Sequence, residues 1–136
     1  MYQYKKNHMP SHLLIASGVI IVENNAVLVV REEEDVFWKV PGGRLESFDE
    51  NFRQAARREI KEEVGIEVTL LEREPFFMYV RKTEDVDVLL VHFLATRIGE
   101  IVPGVDIRAW KWMPLDALEE PLAPNIQPAL KWFGFR

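Results

Sequence analysis

The sequence predicts an α/β fold in which a mixed β-sheet lies between helices. Short apolar runs rich in β-branched residues recur along the chain, and each is bounded by turn residues. Between residues 49 and 64 the pattern becomes helical, with apolar side chains every fourth residue from Phe52 to Val64. The chain has 136 residues, 48% of them hydrophobic, which suits a single domain over residues 1–136 with its own core.

The first two strands are predicted to form a β-hairpin. Residues 13–22 are apolar and β-branched, and an Asn-Asn pair marks a turn before the apolar run of residues 26–30. A charged loop follows. The short apolar run of residues 37–40 is then stopped by Pro41.

Four strands and one helix are predicted after the helix of residues 49–64. The apolar runs that favour strands are residues 66–71, 76–80, 86–96 and 107–113. A short helical turn is expected over residues 115–119. A last helix is expected over residues 124–133, because a proline stands at its start. The resulting fold is a mixed sheet with helices on both faces.

The composition excludes several classes of protein. A net charge of −5 argues against a nucleic-acid polymer as partner, since such partners favour a basic surface. There is no cysteine, which excludes disulfides, a thiolate nucleophile and cysteine-containing zinc sites. No apolar run approaches the ~20 residues that cross a bilayer, and the first twelve residues lack the apolar core of a signal peptide. We therefore expect a cytoplasmic protein with no membrane partner.

Three glutamates lie close together near the end of the predicted helix. Glu59, Glu62 and Glu63 are spaced i, i+3 and i+4, so they share one edge of the helix. Gly65 is expected to end the helix in the left-handed conformation. Acidic groups in a last turn oppose the helix macrodipole, at a cost of ~0.3–1 kcal/mol each. A divalent cation such as Mg²⁺ would compensate both this cost and their mutual repulsion.

The three glutamates are also predicted to border the buried side of the helix. On a helical wheel of about 100° per residue they lie next to the apolar stripe formed by Ala56, Ile60 and Val64. That position suits the lining of a cleft, where charges interact more strongly than in bulk water. The alternative is an acidic face in contact with solvent.

This run resembles the signature of the Nudix (MutT-like) hydrolase family. The family pattern is a Gly, five residues, a Glu, seven residues, and then Arg-Glu-aliphatic-x-Glu-Glu-x-Gly-aliphatic. Seven residues separate Glu50 from Arg58, and residues 58–66, REIKEEVGI, match every specified position. The preceding FWKVPGG, residues 37–43, is similar to the segment that leads into the family motif. The resemblance implies a Nudix-type α/β/α sandwich.

The motif departs from the family pattern in one place. The Glu position counted from Gly43 falls on Asp49, one residue before Glu50. The loop has a one-residue insertion, or Asp49 replaces the Glu, or Arg44 stands at the Gly position. We favour the insertion because Glu50 keeps its spacing to Arg58 and loop length is easier to change than helix register.

Glu50 has two interpretations that are compatible with each other. It can pair with Arg58 and so support the motif helix. It can also simply hold the start of the helix, as the last residue of a capping box Ser47-x-x-Glu50.

The resemblance implies hydrolysis of the diphosphate linkage in a nucleoside diphosphate derivative, with water attacking phosphorus. Such substrates are nucleoside triphosphates, ADP-ribose, nucleotide sugars and dinucleoside polyphosphates. Negative charge builds up at phosphate during attack, so the reaction needs cations and an activated water. The cofactor implied is Mg²⁺, with Mn²⁺ as a substitute.

The resemblance also implies roles for individual residues. Glu59 and Glu63 would be the principal metal ligands, and Glu62 a third ligand or the base that polarises water. Arg58 would orient the glutamates through a charge-assisted pair. The expected catalytic residues are Glu50, Arg58, Glu62 and Glu63, and the expected metal site consists of Glu59, Glu62, Glu63 and the carbonyl group of Gly43.

The sequence offers several candidates for contacts outside the motif. Arg44 is a candidate for phosphate binding, and Phe76, Tyr79 or Trp110 for stacking on a nucleobase. Family members also draw an acidic ligand or base from another loop. The candidates for this role are Glu84, Asp85, Asp87, Glu100 and Asp106. The three histidines are scattered singly, and none is favoured as a catalytic group.

Three other classes compete with a Nudix hydrolase as an interpretation of the motif. A catalytically inactive Nudix-like domain that binds or senses nucleotides would typically lose the motif glutamates, and all of them are present. The diphosphate isomerase branch resembles an enzyme with a catalytic cysteine, which this chain lacks. The mannosyl-hydrolase branch, which shares an FW-x-VPGGR segment, also loses motif glutamates.

The oligomeric state and the substrate are left open by the sequence. Many relatives are homodimers, so this chain can be a homodimer as well. The sequence does not select one substrate among the four classes.

Overall fold

The computed structural model describes residues 11–47 and 50–136, and these form an α/β/α sandwich of eight strands and two helices. The elements in chain order are β1 (His12–Ile20), β2 (Val22–Glu23), β3 (Ala26–Glu32), β4 (Gly42–Arg44), α1 (Phe52–Val64), β5 (Glu67–Leu70), β6 (Phe76–Thr83), β7 (Val86–Ile98), β8 (Ile107–Pro114) and α2 (Ile126–Trp132). The predicted fold class, a mixed sheet between helices, is confirmed.

The strands form two sheets. The five-stranded sheet has the order β4-β1-β7-β5, and β6 pairs with the first part of β7. The three-stranded sheet has the order β2-β3-β8. The five-stranded sheet is mixed because β1 and β7 run parallel, from the pair His12–Val86 to the pair Ile20–Leu94, while its other pairings are antiparallel. The three-stranded sheet is antiparallel.

Alternate residues of β1 and β3 face two separate cores. Val19 and Leu28 belong to the core that is covered by α1. Their neighbours Ile20 and Val29 belong to the core that is covered by α2. Side chains alternate across a strand, so an uninterrupted apolar run is what a strand covered on both faces requires.

The predicted turn at Asn24 and Asn25 and the predicted end of the first helix are confirmed. The hairpin is shorter than predicted, because only β2 pairs with β3, while β1 pairs with β4 and β7. Asn24 and Asn25 have φ values of 49° and 62°, and two left-handed residues in a row are typical of the tight turn between β2 and β3. Gly65 ends α1 in the left-handed conformation, with φ of 72°, and its N–H donates to the carbonyl oxygen of Lys61 at 3.0 Å.

The start of α1 differs from the prediction. The helix begins at Phe52 instead of residue 49, because Asn51 is the N-cap. The Asn51 side chain accepts the N–H of Gln54 at 2.8 Å, and the Gln54 side chain accepts the N–H of Asn51 at 2.9 Å. This is a complete capping box. The alternative capping box from Ser47 to Glu50 is therefore wrong.

The short apolar run of residues 37–40 contributes two isolated bridges, between Val30 and Lys39 and between Trp38 and Leu122. One further expectation is corrected. Residues 115–119 form a turn instead of a short helix. The N–H of Glu119, which a helix would direct to the carbonyl oxygen of Leu115, instead donates to the Met113 Sδ at 3.4 Å. The strand β4 was not predicted, since its glycines have low strand propensity.

Neither α1 nor α2 has the length and apolar character needed to cross a membrane, within residues 11–47 and 50–136.

His92 is a buried titratable group on β7. Its side chain is packed beside Asn125, with 3.4 Å between Nε2 and the Asn125 Nδ2, and its Nδ1 has no hydrogen-bond partner among the described residues. Burial lowers the pKa of His92 to about 4, from an ordinary value of 6.5. The neutral imidazole is thus the form that the fold accommodates.

We predict that His92 makes the protein less stable in acid. The unfolded chain binds this proton near pH 6.5 and the folded protein only near pH 4, so folding free energy is lost as the pH falls through this window. The maximum loss is about 3 kcal/mol, since one pKa unit is about 1.4 kcal/mol. Urea unfolding at pH 7 and pH 4.5 should therefore show a smaller loss for His92→Gln than for the wild type. Equal losses would contradict the prediction.

Candidate active site

Two strands and a helix bring the motif residues together. The register of β1 and β4 pairs Ser17 with Gly43 and Gly18 with Gly42. The Ser17 Oγ donates to the carbonyl oxygen of Phe52 at 2.6 Å, which ties β1 to the first turn of α1. A Cβ on Gly18 would lie 2.3 Å from the carbonyl oxygen of Pro41, so only glycine allows the chain to approach this closely.

Glu63 is a buried carboxylate that joins the end of α1 to β4. Its side chain accepts the N–H of Gly42 at 2.8 Å, and the residue is 7% exposed. Burial raises the pKa of Glu63 to about 8, although the Gly42 hydrogen bond and the positive charge of Lys39 act in the opposite direction. An isolated negative charge at this position is therefore costly for the fold.

Glu59 lies directly over the backbone of β4. A Cβ on Gly43 would be 2.3 Å from the carboxylate carbon of Glu59, so the glycine makes the space that this carboxylate occupies. The Glu59 side chain is 14% exposed, and burial raises its pKa, opposed by Arg58. The Glu62 side chain is 56% exposed. The three motif glutamates thus span the border between core and solvent, as the helical wheel predicts.

Arg58 is the central cation of this cluster. Its Nε donates to Glu50 at 2.5 Å and its Nη2 donates to the carbonyl oxygen of Arg44 at 2.9 Å. Its Nη1 also lies close to three further carboxylates, those of Glu59 at 2.8 Å, Glu46 at 3.2 Å and Glu62 at 3.3 Å. The hydrogen bond with Glu50 is the main cause that raises the pKa of Arg58, so the guanidinium stays charged.

Glu50 supports Arg58 from the loop that precedes the helix. Its carboxylate accepts hydrogen bonds from Arg58 and from the N–H of Glu46, the latter at 3.0 Å, and these bonds lower the pKa of Glu50. This contact is the one that a one-residue insertion in the loop requires. Asp49 lies outside the described residues, so the register of the motif stays a prediction.

Glu46 is a site residue that the sequence reasoning missed. Carboxylate oxygens of Glu46, Glu59 and Glu62 all lie within 4.8 Å of one another. The first of these comes from an irregular loop, where no periodicity indicates which way a side chain points. The only available signal was an acidic residue three positions after the paired glycines.

The donor set at this cluster fits a hard divalent cation. Carboxylate oxygens are the ligands that Mg²⁺, Mn²⁺ and Ca²⁺ prefer, and three of them converge here. The concentration of negative charge around one guanidinium also indicates that the cluster needs a positive charge. Glu63 is not in this group of three, because its carboxylate is held by Gly42.

A cleft of about 730 Å³ opens beside the carboxylate cluster. Apolar side chains of β1, including Leu13 and Ile15, line one part of it. Arg44, Glu46 and Glu50 line the part next to the cluster. Of the residues predicted to bind substrate, the structure thus brings Arg44 to this cleft.

The predicted aromatic residues lie elsewhere. Phe76 packs against the core under α2, and Trp110 packs against the core under α1. The side chain of Tyr79 is largely exposed and its hydroxyl donates to Asp87. Among the described residues, none of these three lines the cleft beside the carboxylates.

The acidic candidates outside the motif are also accounted for. Asp87 is buried and its carboxylate pairs with the Nε of Arg81 at 2.5 Å. Glu84 and Asp85 lie in the turn between β6 and β7, and Glu100 and Asp106 lie between β7 and β8. The described group of converging acids contains none of the five.

Comparison with known proteins agrees with this fold. A sequence model described as the NUDIX domain matches residues 12–133. The 8-oxo-dGTP diphosphatase of Proteus vulgaris is 43% identical over 61 residues, 42% of this chain, and the match spans only 54% of that protein's length. The CTP pyrophosphohydrolase of Escherichia coli is 35% identical over 101 residues, 71% of this chain and 70% of that protein.

The fold is shared with solved structures. The MutT NUDIX hydrolase from Burkholderia pseudomallei superposes with a TM-score of 0.75 at 23% identity, covering 88% of this chain and 97% of that one. The two structures thus have the same sandwich fold. The chain belongs to the NUDIX family.

Proposed function

We propose that this chain hydrolyses the diphosphate linkage of a nucleoside diphosphate derivative, with water attacking phosphorus. The observation that carries the proposal is the convergence of Glu46, Glu59 and Glu62 around Arg58 at the edge of a cleft. Such a cluster repels a diphosphate unless cations lie between them. It is therefore suited to a substrate that arrives with divalent cations.

The site residues divide into proposed metal ligands and residues that orient those ligands. Glu46, Glu59 and Glu62 would be ligands, together with Glu63 and the carbonyl group of Gly43 as the family resemblance implies. A divalent cation bound there would neutralise charge on the diphosphate oxygens and acidify a water molecule. Mg²⁺ is the proposed ion, with Mn²⁺ as a substitute.

Arg58 and Glu50 are proposed to orient the carboxylates. Arg58 contacts Glu59 and Glu62 directly, so it can fix both side chains and reduce their repulsion. Glu50 holds Arg58 from the opposite side. Glu62 is the most exposed of the three motif glutamates, which leaves it free to act as the third ligand or as the base that polarises water.

Arg44 is proposed to contact the substrate phosphates from the wall of the cleft. Stacking of a nucleobase on Phe76, Tyr79 or Trp110 stays a prediction.

The single domain over residues 1–136, the cytoplasmic location and the homodimer also stay predictions. Two relatives of this chain are named for nucleoside triphosphates. We therefore propose nucleoside triphosphates as the first class to test, before ADP-ribose, nucleotide sugars and dinucleoside polyphosphates.

Metal dependence and the site of attack test the proposal together. With a panel of these four substrate classes we expect hydrolysis in millimolar Mg²⁺, reversible loss in excess chelator, and transfer of ¹⁸O from labelled water to a phosphate product. Phosphate release, chromatography and mass spectrometry provide the measurements. Undiminished turnover in excess chelator would refute the metal site. Tight nucleotide binding without turnover would favour the alternative, an inactive nucleotide-binding domain.

A further inference from the structure

The loop between β7 and β8 contacts the last turn of α1 through its main chain. The N–H of Val102 donates to the carbonyl oxygen of Val64 at 2.9 Å. The N–H of Gly104 donates to the carbonyl oxygen of Glu63 at 2.8 Å. The loop lies far from the motif in sequence, yet it binds the turn that carries Glu62 and Glu63.

These contacts supply partners that the helix cannot supply itself. The last four carbonyl groups of an α-helix have no intrahelical donor. In α1 the carbonyl of Lys61 accepts the N–H of Gly65, and the next free donors come from the loop. Pro103 separates the two loop donors and has no N–H of its own. The end of the motif helix is thus fixed by a segment outside the motif.

Gly104 also leaves no room between the loop and the helix. A Cβ on this residue would lie 2.3 Å from the carbonyl oxygen of Glu62 and 3.7 Å from that of Glu63. Its φ lies outside the left-handed region, so alanine could adopt the backbone conformation. The added methyl group of alanine would, however, push the last turn of α1 away from its present position.

We propose that Gly104 is a positioning residue for the carboxylates of the active site. Its N–H and its missing side chain together set the backbone of Glu62 and Glu63, and therefore the height of both carboxylates above β4. Glu63 is held at its two ends, by Gly104 at the carbonyl and by Gly42 at the carboxylate. The loop thus supports the site through its main chain. Its acidic side chains, Glu100 and Asp106, are not needed as ligands or bases for this role. This inference rests on the proposed function, because it concerns the binding of a divalent cation by these glutamates.

Gly104→Ala is the direct test, with Val105→Ala as the matched control. Val105 is the next residue in the loop, and its side chain is fully exposed. Residues that support metal ligands typically change metal affinity by 10–100-fold when substituted. We expect Gly104→Ala to weaken Mn²⁺ binding at least ~10-fold, by electron paramagnetic resonance titration of the folded protein. We expect Val105→Ala to bind Mn²⁺ as the wild type does.

Kinetics separate positioning from a general loss of stability. Gly104→Ala should lower kcat at fixed Mg²⁺, with KM for the nucleotide changed less than about threefold, because a misplacement of about 1 Å can cost ~10²-fold in rate. Mn²⁺ affinity equal to that of the wild type, with only a lower Tm, would overturn the inference. Wild-type protein that binds no Mn²⁺ would overturn the proposed function as well.

A measurement on the wild type keeps the inference testable if Gly104→Ala does not fold. Binding energies are reciprocal, so a contact that favours metal binding must itself be strengthened by metal. Saturating Mg²⁺ should therefore slow hydrogen exchange of the Gly104 amide at least several-fold. The amide of Arg73 donates to the carbonyl oxygen of Leu71 in the exposed turn between β5 and β6, so it exchanges by local opening. It is the internal control and should not change. Unchanged exchange at Gly104 would refute the inference.

Discussion

Glu63→Gln should reduce turnover at least ~100-fold while the protein remains folded and at least as stable as the wild type. Glutamine keeps the size of the side chain and can still accept the N–H of Gly42 through its amide oxygen. It removes the negative charge that a cation would bind. Burial raises the pKa of Glu63 to about 8, so the fold loses an unfavourable charge when the carboxylate is replaced.

Two measurements check this result, kcat in saturating Mg²⁺ and the melting temperature in chelator at pH 8. Glu67→Gln is the matched control, because Glu67 is exposed and pairs with Lys61 at the far side of the helix end. The control should retain wild-type turnover. If Glu63→Gln kept more than a tenth of the turnover, or melted several degrees lower, the assigned role of this buried carboxylate would be wrong.

Gly43→Ala should reduce turnover by about 10²-fold with little change in stability, the loss that a misplacement of about 1 Å can cause. The three heavy atoms nearest to the new methyl group would all belong to the carboxylate of Glu59, with its carbon at 2.3 Å and one oxygen at 2.4 Å. This carboxylate is the end of a flexible side chain, so it can rotate away at small cost. Rotation takes it out of the group that it forms with Glu46 and Glu62.

The neighbouring glycine provides the contrast. A Cβ on Gly42 would lie 2.8 Å from the carbonyl oxygen of Ser17 and 2.8 Å from the Cα of Gly18, and both are backbone atoms that cannot rotate away. Gly42→Ala should therefore destabilise the fold, by about 1–3 kcal/mol for an overpacked site. Urea unfolding and metal titration of both variants test this. Gly43→Ala with wild-type turnover would show that Glu59 does not need its place over β4.

Periodicity predicted the helical and buried parts of the molecule well. The four-residue repeat from Phe52 to Val64 gave α1, and the spacing of three glutamates gave their common edge. The helix start was predicted three residues too early, at residue 49. In the structure Asn51 is the N-cap, and its capping box with Gln54 fixes the first helical residue at Phe52. Such a cap is a local competition among several polar residues, and the sequence offered more than one solution.

The parts of the site that escaped prediction are those that lie in loops or in the main chain. Glu46 reaches the cluster from an irregular segment, so its direction depends on how β4 pairs with β1. The N–H groups of Gly42 and Gly104 hold Glu63, yet any residue but proline carries such a group. Only the packed structure shows which of them meets a carboxylate or a helix end.

The parallel pairing of β1 with β7 bears on when the carboxylates of the proposed active site come together during folding. The paired residues lie 74 positions apart in the sequence, as His12 and Val86 do, so forming this contact closes a long loop, and the entropy cost precedes the gain from burial. β4 pairs with the free edge of β1, and its glycines hold Glu59 and Glu63. A nascent chain that has not yet produced β7 therefore has a helix with the right residues but no assembled site. Activity and the central sheet should appear in the same late step of folding.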